Sequence, residues 1–156
     1  MTPRSSTLDA LRAERMEHVA DQLLPHAAIV TRLLIKQVRG EISRTDAGVL
    51  STLTVAPRRI TELAELEGLA QPTMTLLVQR LEQRGWVKRE RRADDGRVVL
   101  VSLTEAGSAT LEAFRAQVGA ALRGHMDAMS DEQIAALETA TEALGSLVDT
   151  FLSATT

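Results

Sequence analysis

Apolar residues recur every three or four positions along most of the chain, which is the spacing of one face of an α-helix. The first such segment covers about residues 8–38, and Pro25 inside it predicts a kink or a division into two helices. Two shorter segments follow, over about residues 45–53 and 60–68. The second of these ends at Gly68, a residue suited to the left-handed conformation that follows a helix.

A fourth helical segment begins at Pro72, which suits the first helical position because its missing N–H would have no partner there. Gly85 marks the end of this helix. Its apolar residues fall on one face, which we expect to be buried: Met74, Leu77, Val78 and Leu81.

The spacing then changes to two short runs with β-branched or aromatic residues, at residues 86–92 and 98–103. Between them lies a polar, turn-prone sequence, ADDG at residues 93–96, which predicts a β-hairpin. Because the first strand is heavily charged, we expect the hairpin to project into solvent with only its base half-buried.

Two longer amphipathic helices complete the chain. Thr104 caps the first of them, and Glu105 lies in its first turn, where a carboxylate interacts favourably with the helix dipole. Ser130 opens the second helix, and Gln133 completes a capping box with it. The predicted fold class is therefore mainly α, with one small β-hairpin.

Composition excludes several classes of function. The chain has 156 residues and no cysteine, which excludes disulfides, thiolate metal sites and cysteine nucleophiles. No apolar run approaches the ~20 residues of a membrane span, and residues 1–9 lack an apolar signal core, so we expect a cytoplasmic protein without membrane contact. The three histidines lie in no recognisable nucleophile or phosphate-loop motif, so we expect no enzyme, catalytic residue or cofactor.

The net charge of −3 conceals a segregation of charge along the chain. Residues 98–156 carry two basic and eight acidic groups, whereas residues 80–97 carry seven basic and four acidic groups, a local balance of +3. A local basic face affects the binding of a polyanion more than the net charge of the whole chain does, because salt screens charges beyond roughly 8–10 Å.

Residues 60–85 match a helix-turn-helix, with the small residue Ala64 in the first helix and Gly68 in the turn. The apolar residues expected to lock the two helices together are Leu63, Leu69, Met74 and Leu77. The residues left on the other faces of the second helix are Gln71, Thr73, Thr75, Leu76, Gln79 and Arg80. Short hydroxyl and amide side chains near a helix N-terminus suit base edges and phosphates, which predicts DNA binding.

The hairpin beside this helix predicts a basic wing with Arg97 at its tip, positioned to enter an adjacent minor groove. Asp95, on the other side of Gly96, is placed to orient the Arg97 guanidinium. We expect three residues of the helix to read bases: Thr73, Thr75 and Gln79. We expect four arginines to hold phosphates or the minor groove: Arg80, Arg91, Arg92 and Arg97.

These segments resemble the MarR-type winged-helix transcriptional regulators. The resemblance is close over residues 45–107 and rests on ITELA (60–64), QPTMT (71–75), RLE (80–82), RGWV (84–87), DDGR (94–97) and VSLTEAG (101–107). Glu67 departs from the family pattern, in which an apolar residue is common just before the glycine, and we expect Leu66 to fill that space.

The resemblance implies a winged helix-turn-helix domain at residues 41–103, between dimerisation helices at residues 1–40 and 104–156. It also implies a homodimeric repressor on a palindromic operator of double-stranded DNA, released by a small phenolic or other anionic ligand. By position, the major-groove residues are Gln71, Thr73, Thr75, Gln79 and Arg80, and the wing residues are Arg91, Arg92 and Arg97. The apolar stripes at both chain ends point to a dimer independently, because so small a winged domain cannot cover them.

Two other interpretations stay open. Glu14, His18 and Asp21 share a helix face at a spacing compatible with metal ligands, which would suit a metal-responsive regulator of the same fold. Such residues on a charged helix are more often simply solvated, so we expect no metal. Alternatively, the chain is a helical protein-interaction module whose hairpin has no role in DNA binding.

Overall fold

The computed structural model describes residues 4–38, 40, 42–91 and 98–154 of the chain. Within these ranges it has six helices and one two-stranded antiparallel sheet, which confirms the predicted fold class. The elements in chain order are α1 (Arg4–Gln37), α2 (Arg44–Val55), α3 (Ile60–Leu66), α4 (Gln71–Gln83), β1 (Val87–Arg91), β2 (Val99–Leu103), α5 (Glu105–Met126) and α6 (Asp131–Ala154). Contacts divide the chain into two compact units, Met1–Val118 and Gly119–Thr156.

The hydrophobic core of the first unit joins α2, α3, α4, the hairpin and the first half of α5. The apolar face predicted for α4 is buried at all four positions, which confirms that prediction: Met74, Leu77, Val78 and Leu81. Burying one leucine-sized side chain contributes about 1.5–3 kcal/mol, so this face alone is a main source of the stability of the unit.

Two details of the helices differ from the sequence-based prediction. α1 continues through Pro25 as one helix of 34 residues, so a division into two helices is wrong. α4 begins at Gln71, which makes Pro72 its second residue. A proline is tolerated there for the same reason as at the first position, because the first four N–H groups of a helix have no partner within it.

The predicted caps of the two long helices are confirmed by hydrogen bonds. Thr104 Oγ1 accepts from the Gly107 N–H at 3.0 Å at the start of α5. Ser130 Oγ accepts from the Gln133 N–H at 3.3 Å, and Gln133 Oε1 accepts from the Ser130 N–H at 3.0 Å. These pairs are three residues apart, which is why local sequence was sufficient to find them.

The hairpin is a regular antiparallel pair in which Val87 is opposite Leu103 and Arg91 is opposite Val99. The segment before α3 extends it by one bridge, since Arg58 and Val101 exchange two backbone hydrogen bonds of 3.0 and 2.8 Å. Val87 and Val101 are buried while most of β1 is exposed, which confirms that the hairpin is buried only at its base.

The second unit contains the end of α5 and all of α6. Several large apolar side chains of α6 are exposed at three- and four-residue spacing: Leu137, Leu144, Leu147, Val148 and Phe151. Among the residues that the structure describes, no helix has the length and apolar character needed to cross a membrane.

Candidate nucleic-acid interface

The helices α3 and α4 meet at a tight turn. Gly68 has φ of +64°, which only glycine adopts without strain, and the Leu69 N–H donates to the Ala64 carbonyl at 2.9 Å. Leu63 and Ala64 are buried against the core, so α3 holds α4 with one face inward. The arrangement is a helix-turn-helix, as the glycine and the small residue predicted.

The face of α4 opposite the core carries the hydrogen-bonding side chains that the sequence singled out. Gln71, Thr73 and Gln79 are exposed, and Thr75 is half-buried. Thr75 Oγ1 donates to the Gln71 carbonyl at 2.9 Å, which uses the hydroxyl proton within the helix and leaves the oxygen available as an acceptor. These four residues therefore lie on one helix and face solvent to different degrees.

Arg80 has a second role that the sequence analysis missed. Its Nη2 donates to Asp46 Oδ1, and this carboxylate has a side-chain exposure of only 3%, against 49% for the arginine. The other oxygen, Asp46 Oδ2, accepts from the Ser43 N–H at 2.9 Å, while Ser43 Oγ accepts from the Asp46 N–H at 3.1 Å. One buried carboxylate thus caps α2 and fixes the side chain of Arg80 on α4.

The spacing of Ser43 and Asp46 is that of a capping box, so the cap was visible in the sequence. The pairing with Arg80 was not, because 34 positions separate the two residues. Because the buried Asp46 carboxylate holds the half-exposed guanidinium of Arg80, the remaining N–H groups of Arg80 have a fixed orientation. They can therefore make a hydrogen bond of defined geometry to a ligand, which a freely rotating side chain would not.

An exposed leucine completes the solvent side of α4. Leu76 is 67% exposed, and together with Thr73 and Arg80 it lines an open groove of about 420 Å³. The other lining residues of this groove are Ser43, Thr45, Leu69 and Leu77.

The described part of the hairpin adds charge beside α4. Lys88 Nζ lies 2.8 Å from Glu90 Oε1, and Arg89 Nε lies 3.2 Å from Glu82 Oε2, so two of its cations are balanced locally. Arg91, at the end of β1, is exposed. Arg92 and Arg97 lie outside the described residues.

The wing is joined to α5 by a cluster of short contacts around Trp86. Thr104 Oγ1 donates to the Gly85 carbonyl at 2.6 Å, and the Thr104 N–H donates to the Trp86 carbonyl at 3.1 Å. A Cβ on Gly107 would overlap the Trp86 carbonyl oxygen, so a glycine is needed for this close approach. The sequence VSLTEAG therefore makes a rigid joint between the wing and the next helix.

The expectation for Leu66 is wrong, because its side chain is 59% exposed. The space is taken by Glu67 itself, whose Oε1 accepts from Thr52 Oγ1 on α2 at 2.9 Å. A Cβ on Gly48 would lie 2.6 Å from Glu67 Oε2, so the glycine on α2 makes room for the carboxylate. A polar contact between helices thus replaces the apolar one expected before the turn.

The structure does not bring the metal-ligand candidates Glu14, His18 and Asp21 together as a site. In the part of the chain that it describes, no group of three or more histidine, aspartate or glutamate side chains is arranged to hold a metal ion.

Known proteins with this architecture match most of the chain. A MarR family protein from Bacillus stearothermophilus is 26% identical, with a TM-score of 0.63, and the match covers 87% of this chain and 97% of that one. The apo form of MarR from E. coli is 25% identical, with a TM-score of 0.61, over 84% of this chain and 95% of that one. An uncharacterized HTH-type transcriptional regulator of Bacillus subtilis, YpoP, is 26% identical over 128 residues, covering 76% of this chain and 91% of the relative.

A helix-turn-helix whose second helix presents hydrogen-bonding groups, followed by a basic hairpin, defines a winged helix-turn-helix DNA-binding protein. The model of the MarR family matches residues 42–99, which span α2 to the start of β2. Over these residues the chain is similar to the MarR family of transcriptional regulators, and solved MarR proteins share its fold over most of its length.

Proposed function

We propose that two copies of this chain bind a palindromic operator in double-stranded DNA and repress transcription from it. The observation that carries the proposal is the row of hydrogen-bonding side chains on the solvent side of α4, with the basic hairpin next along the chain. A helix that is buried on one side and carries amides and hydroxyls on the other has the chemistry to read a major groove. Because such an operator is chromosomal, we propose that the protein acts in the cytoplasm.

In this proposal the short polar side chains of α4 read the bases. Thr73, Thr75 and Gln79 contact base edges, and Gln71 faces the same groove from the first turn. Gln79 is exposed and has both an amide donor and an acceptor, which is the combination that pairs with adenine.

The arginines hold the backbone or the minor groove. In this proposal Arg80 and Arg91 contact phosphates. The ion pair of Arg80 with Asp46 and the exposure of Arg91 at the end of β1 support these roles. Arg92 and Arg97 are assigned to the wing on the sequence alone, since a guanidinium fits a narrow minor groove.

A homodimer would cover apolar faces that a single chain leaves exposed. On α1 the exposed large apolar residues are Leu8, Leu11, Met16, Val19, Leu24, Ile29, Val30 and Leu33, and α6 has a second such series. Exposed apolar residues at helical spacing on two long helices are typical of an interface between subunits. Two-fold symmetry of the dimer would match half-sites ~34–36 Å apart on the duplex.

A small phenolic or other anionic ligand is proposed to release the DNA, and a cleft in the first unit supports a site for it. The cleft has a volume of about 270 Å³, and Trp86 and Phe114 line it. Thr110 and Gln117 supply a hydroxyl and an amide in the same lining. Aromatic walls with a few hydrogen-bonding groups are the usual composition of a site for a small organic molecule, and favour a phenol in this cleft. The ligand would act by shifting the population toward dimers that cannot span two half-sites.

DNase footprinting on the DNA that flanks the gene of this protein tests the operator and its symmetry together. We expect two protected half-sites of related sequence about one helical turn apart, ~34–36 Å between their centres. Protection of a single, asymmetric site would contradict a two-fold dimer.

A salt titration of the same duplex separates DNA binding from a protein-interaction module. If six or more phosphates are contacted, affinity should fall ~10³-fold or more between 50 and 200 mM salt, because counterions are released. Absence of a footprint together with a flat salt response would overturn the proposed function.

A further inference from the structure

We propose that Leu76 reads the 5-methyl group of a thymine in the operator, which makes it a specificity-determining residue of α4. This inference rests on the proposed function, because it requires a duplex in contact with α4. It assigns base selectivity to the one large aliphatic side chain on the solvent side of this helix.

The position of Leu76 on α4 is opposite the core. Met74 and Val78, each two residues away, are buried, so with about 3.6 residues per turn the side chain of Leu76 points to the other side. Its exposure of 67% means that packing does not require an apolar residue here. Leu76 therefore adds an apolar side chain to the solvent face of α4, where it is not packed in the hydrophobic core.

The neighbours of Leu76 are the hydrogen-bonding residues one turn away. Thr73 and Arg80 line the same groove, and Gln79 is exposed three residues further along the helix. An A·T pair presents a matching pattern in the major groove: the thymine methyl group lies beside O4, and adenine offers N7 and the N6 amino group. An apolar contact from Leu76 and an amide contact from Gln79 would together select this base pair.

Charge and surface composition favour DNA over a protein partner on this face. Arg91 is exposed at the end of β1, where it attracts a polyanion. Arg80 is half-exposed, and although Asp46 balances its charge, its remaining N–H groups can donate to a phosphate. A docking site for a protein needs a contiguous apolar patch, whereas the exposed residues of α4 other than Leu76 and Pro72 are polar: Gln71, Thr73, Gln79, Arg80, Glu82 and Gln83. We therefore assign Leu76 to a contact with the methyl group of one thymine rather than to a contact with the surface of a protein.

The experiment compares thymine with deoxyuridine, which differs only by this methyl group. The full-length protein selects its preferred duplexes from a random library, and each thymine of the selected duplex is then replaced singly by deoxyuridine. Affinities are measured for the wild type, for Leu76→Ala, and for Leu66→Ala, a matched control at an exposed leucine on α3. We expect one thymine per half-site at which deoxyuridine weakens wild-type binding about fourfold, the factor for roughly one buried carbon.

Leu76→Ala should lose this difference between thymine and deoxyuridine, and Leu66→Ala should keep it. If wild-type binding ignores deoxyuridine at every position, or if Leu76→Ala retains the difference, the assignment of Leu76 is wrong while the proposed function stands. If the wild type selects no duplex from the library, both the assignment of Leu76 and the proposed function are overturned. The wild-type comparison tests the proposal independently of how well either variant folds.

Discussion

Single glycines are required in this protein for two different reasons, a positive φ or a close backbone contact. Gly68 and Gly85 have positive φ and end helices, which the sequence pattern indicated. Gly107 has an ordinary helical position in α5, and its requirement comes from the Trp86 carbonyl, 21 positions earlier in the chain. No local pattern marks such a contact, since it depends on how the wing packs on the next helix.

Replacing Gly107 by alanine should destabilise the protein by about 1–3 kcal/mol or more, because the new methyl group overlaps backbone that cannot move easily. Urea denaturation monitored by circular dichroism measures the change. Gly124→Ala in the same helix is the matched control, since a Cβ there meets nothing within 4 Å. It should stabilise α5 by about 0.5–1 kcal/mol. Equal behaviour of the two variants would contradict the close contact with Trp86.

Arg97 is the residue on which the wing assignment depends. Arg97→Ala should weaken operator binding by ~1–3 kcal/mol, the usual cost of one contact in a groove, without unfolding the dimer. Fluorescence anisotropy with the footprinted duplex measures the affinity. Arg123→Ala, which removes an exposed cation from α5, should leave it nearly unchanged. Unchanged affinity for Arg97→Ala would remove the wing from the DNA-binding surface.

At the level of elements, the caps were readable in the sequence and the links between helices were not. Thr104 and the pair Ser130 and Gln133 act within one turn, so spacing alone identified them. The bond from Asp46 on α2 to Arg80 on α4 appears only after folding. It connects the start of α2 to α4, the helix that we propose reads DNA, so we expect substitutions at Asp46 to change the affinity for DNA.

Asp46→Ala should lower the free energy of unfolding by about 2 kcal/mol, because it removes a helix cap and the partner of Arg80. The half-exposed guanidinium becomes hydrated, which limits the loss. Asp46→Asn, which keeps an acceptor for the Ser43 N–H, should lose about half as much stability. Both variants should bind the operator more weakly than the wild type, as measured by anisotropy.

Asp131→Asn in the exposed first turn of α6 serves as the control for losing a carboxylate near a helix start. It should change stability by less than about 0.5 kcal/mol and leave DNA affinity unaltered. Full operator affinity in Asp46→Ala would mean that Arg80 acts without its buried partner.

At the level of the whole molecule, the exposed apolar faces of α1 and α6 predict that the functional unit is a dimer. Val148 is 53% exposed in the apolar stripe of α6, whereas Ser146 lies on the opposite side of the helix. In a dimer, a charge at position 148 would be buried without a partner, whereas a charge at position 146 would remain in water.

Val148→Glu should therefore dissociate the protein to 16.9 kDa chains, or unfold it, at concentrations where the wild type has twice that mass. Ser146→Glu should keep the wild-type mass. Sedimentation equilibrium over a range of concentrations measures both, and circular dichroism reports on folding. A wild-type protein that sediments as a single chain at all concentrations would contradict the homodimer.

The sequence alone determined what depends on neighbours within a few turns: the order of helices, the hairpin, the glycine turn and the caps at Thr104 and Ser130. It also indicated which side of α4 faces solvent, because burial repeats with the helical period. Tertiary structure decided how Glu67 replaces an apolar contact over Gly48, how Asp46 holds Arg80, and why Gly107 cannot carry a side chain. Those contacts join residues 15 to 34 positions apart, and their geometry depends on how separate elements pack, which no local periodicity encodes.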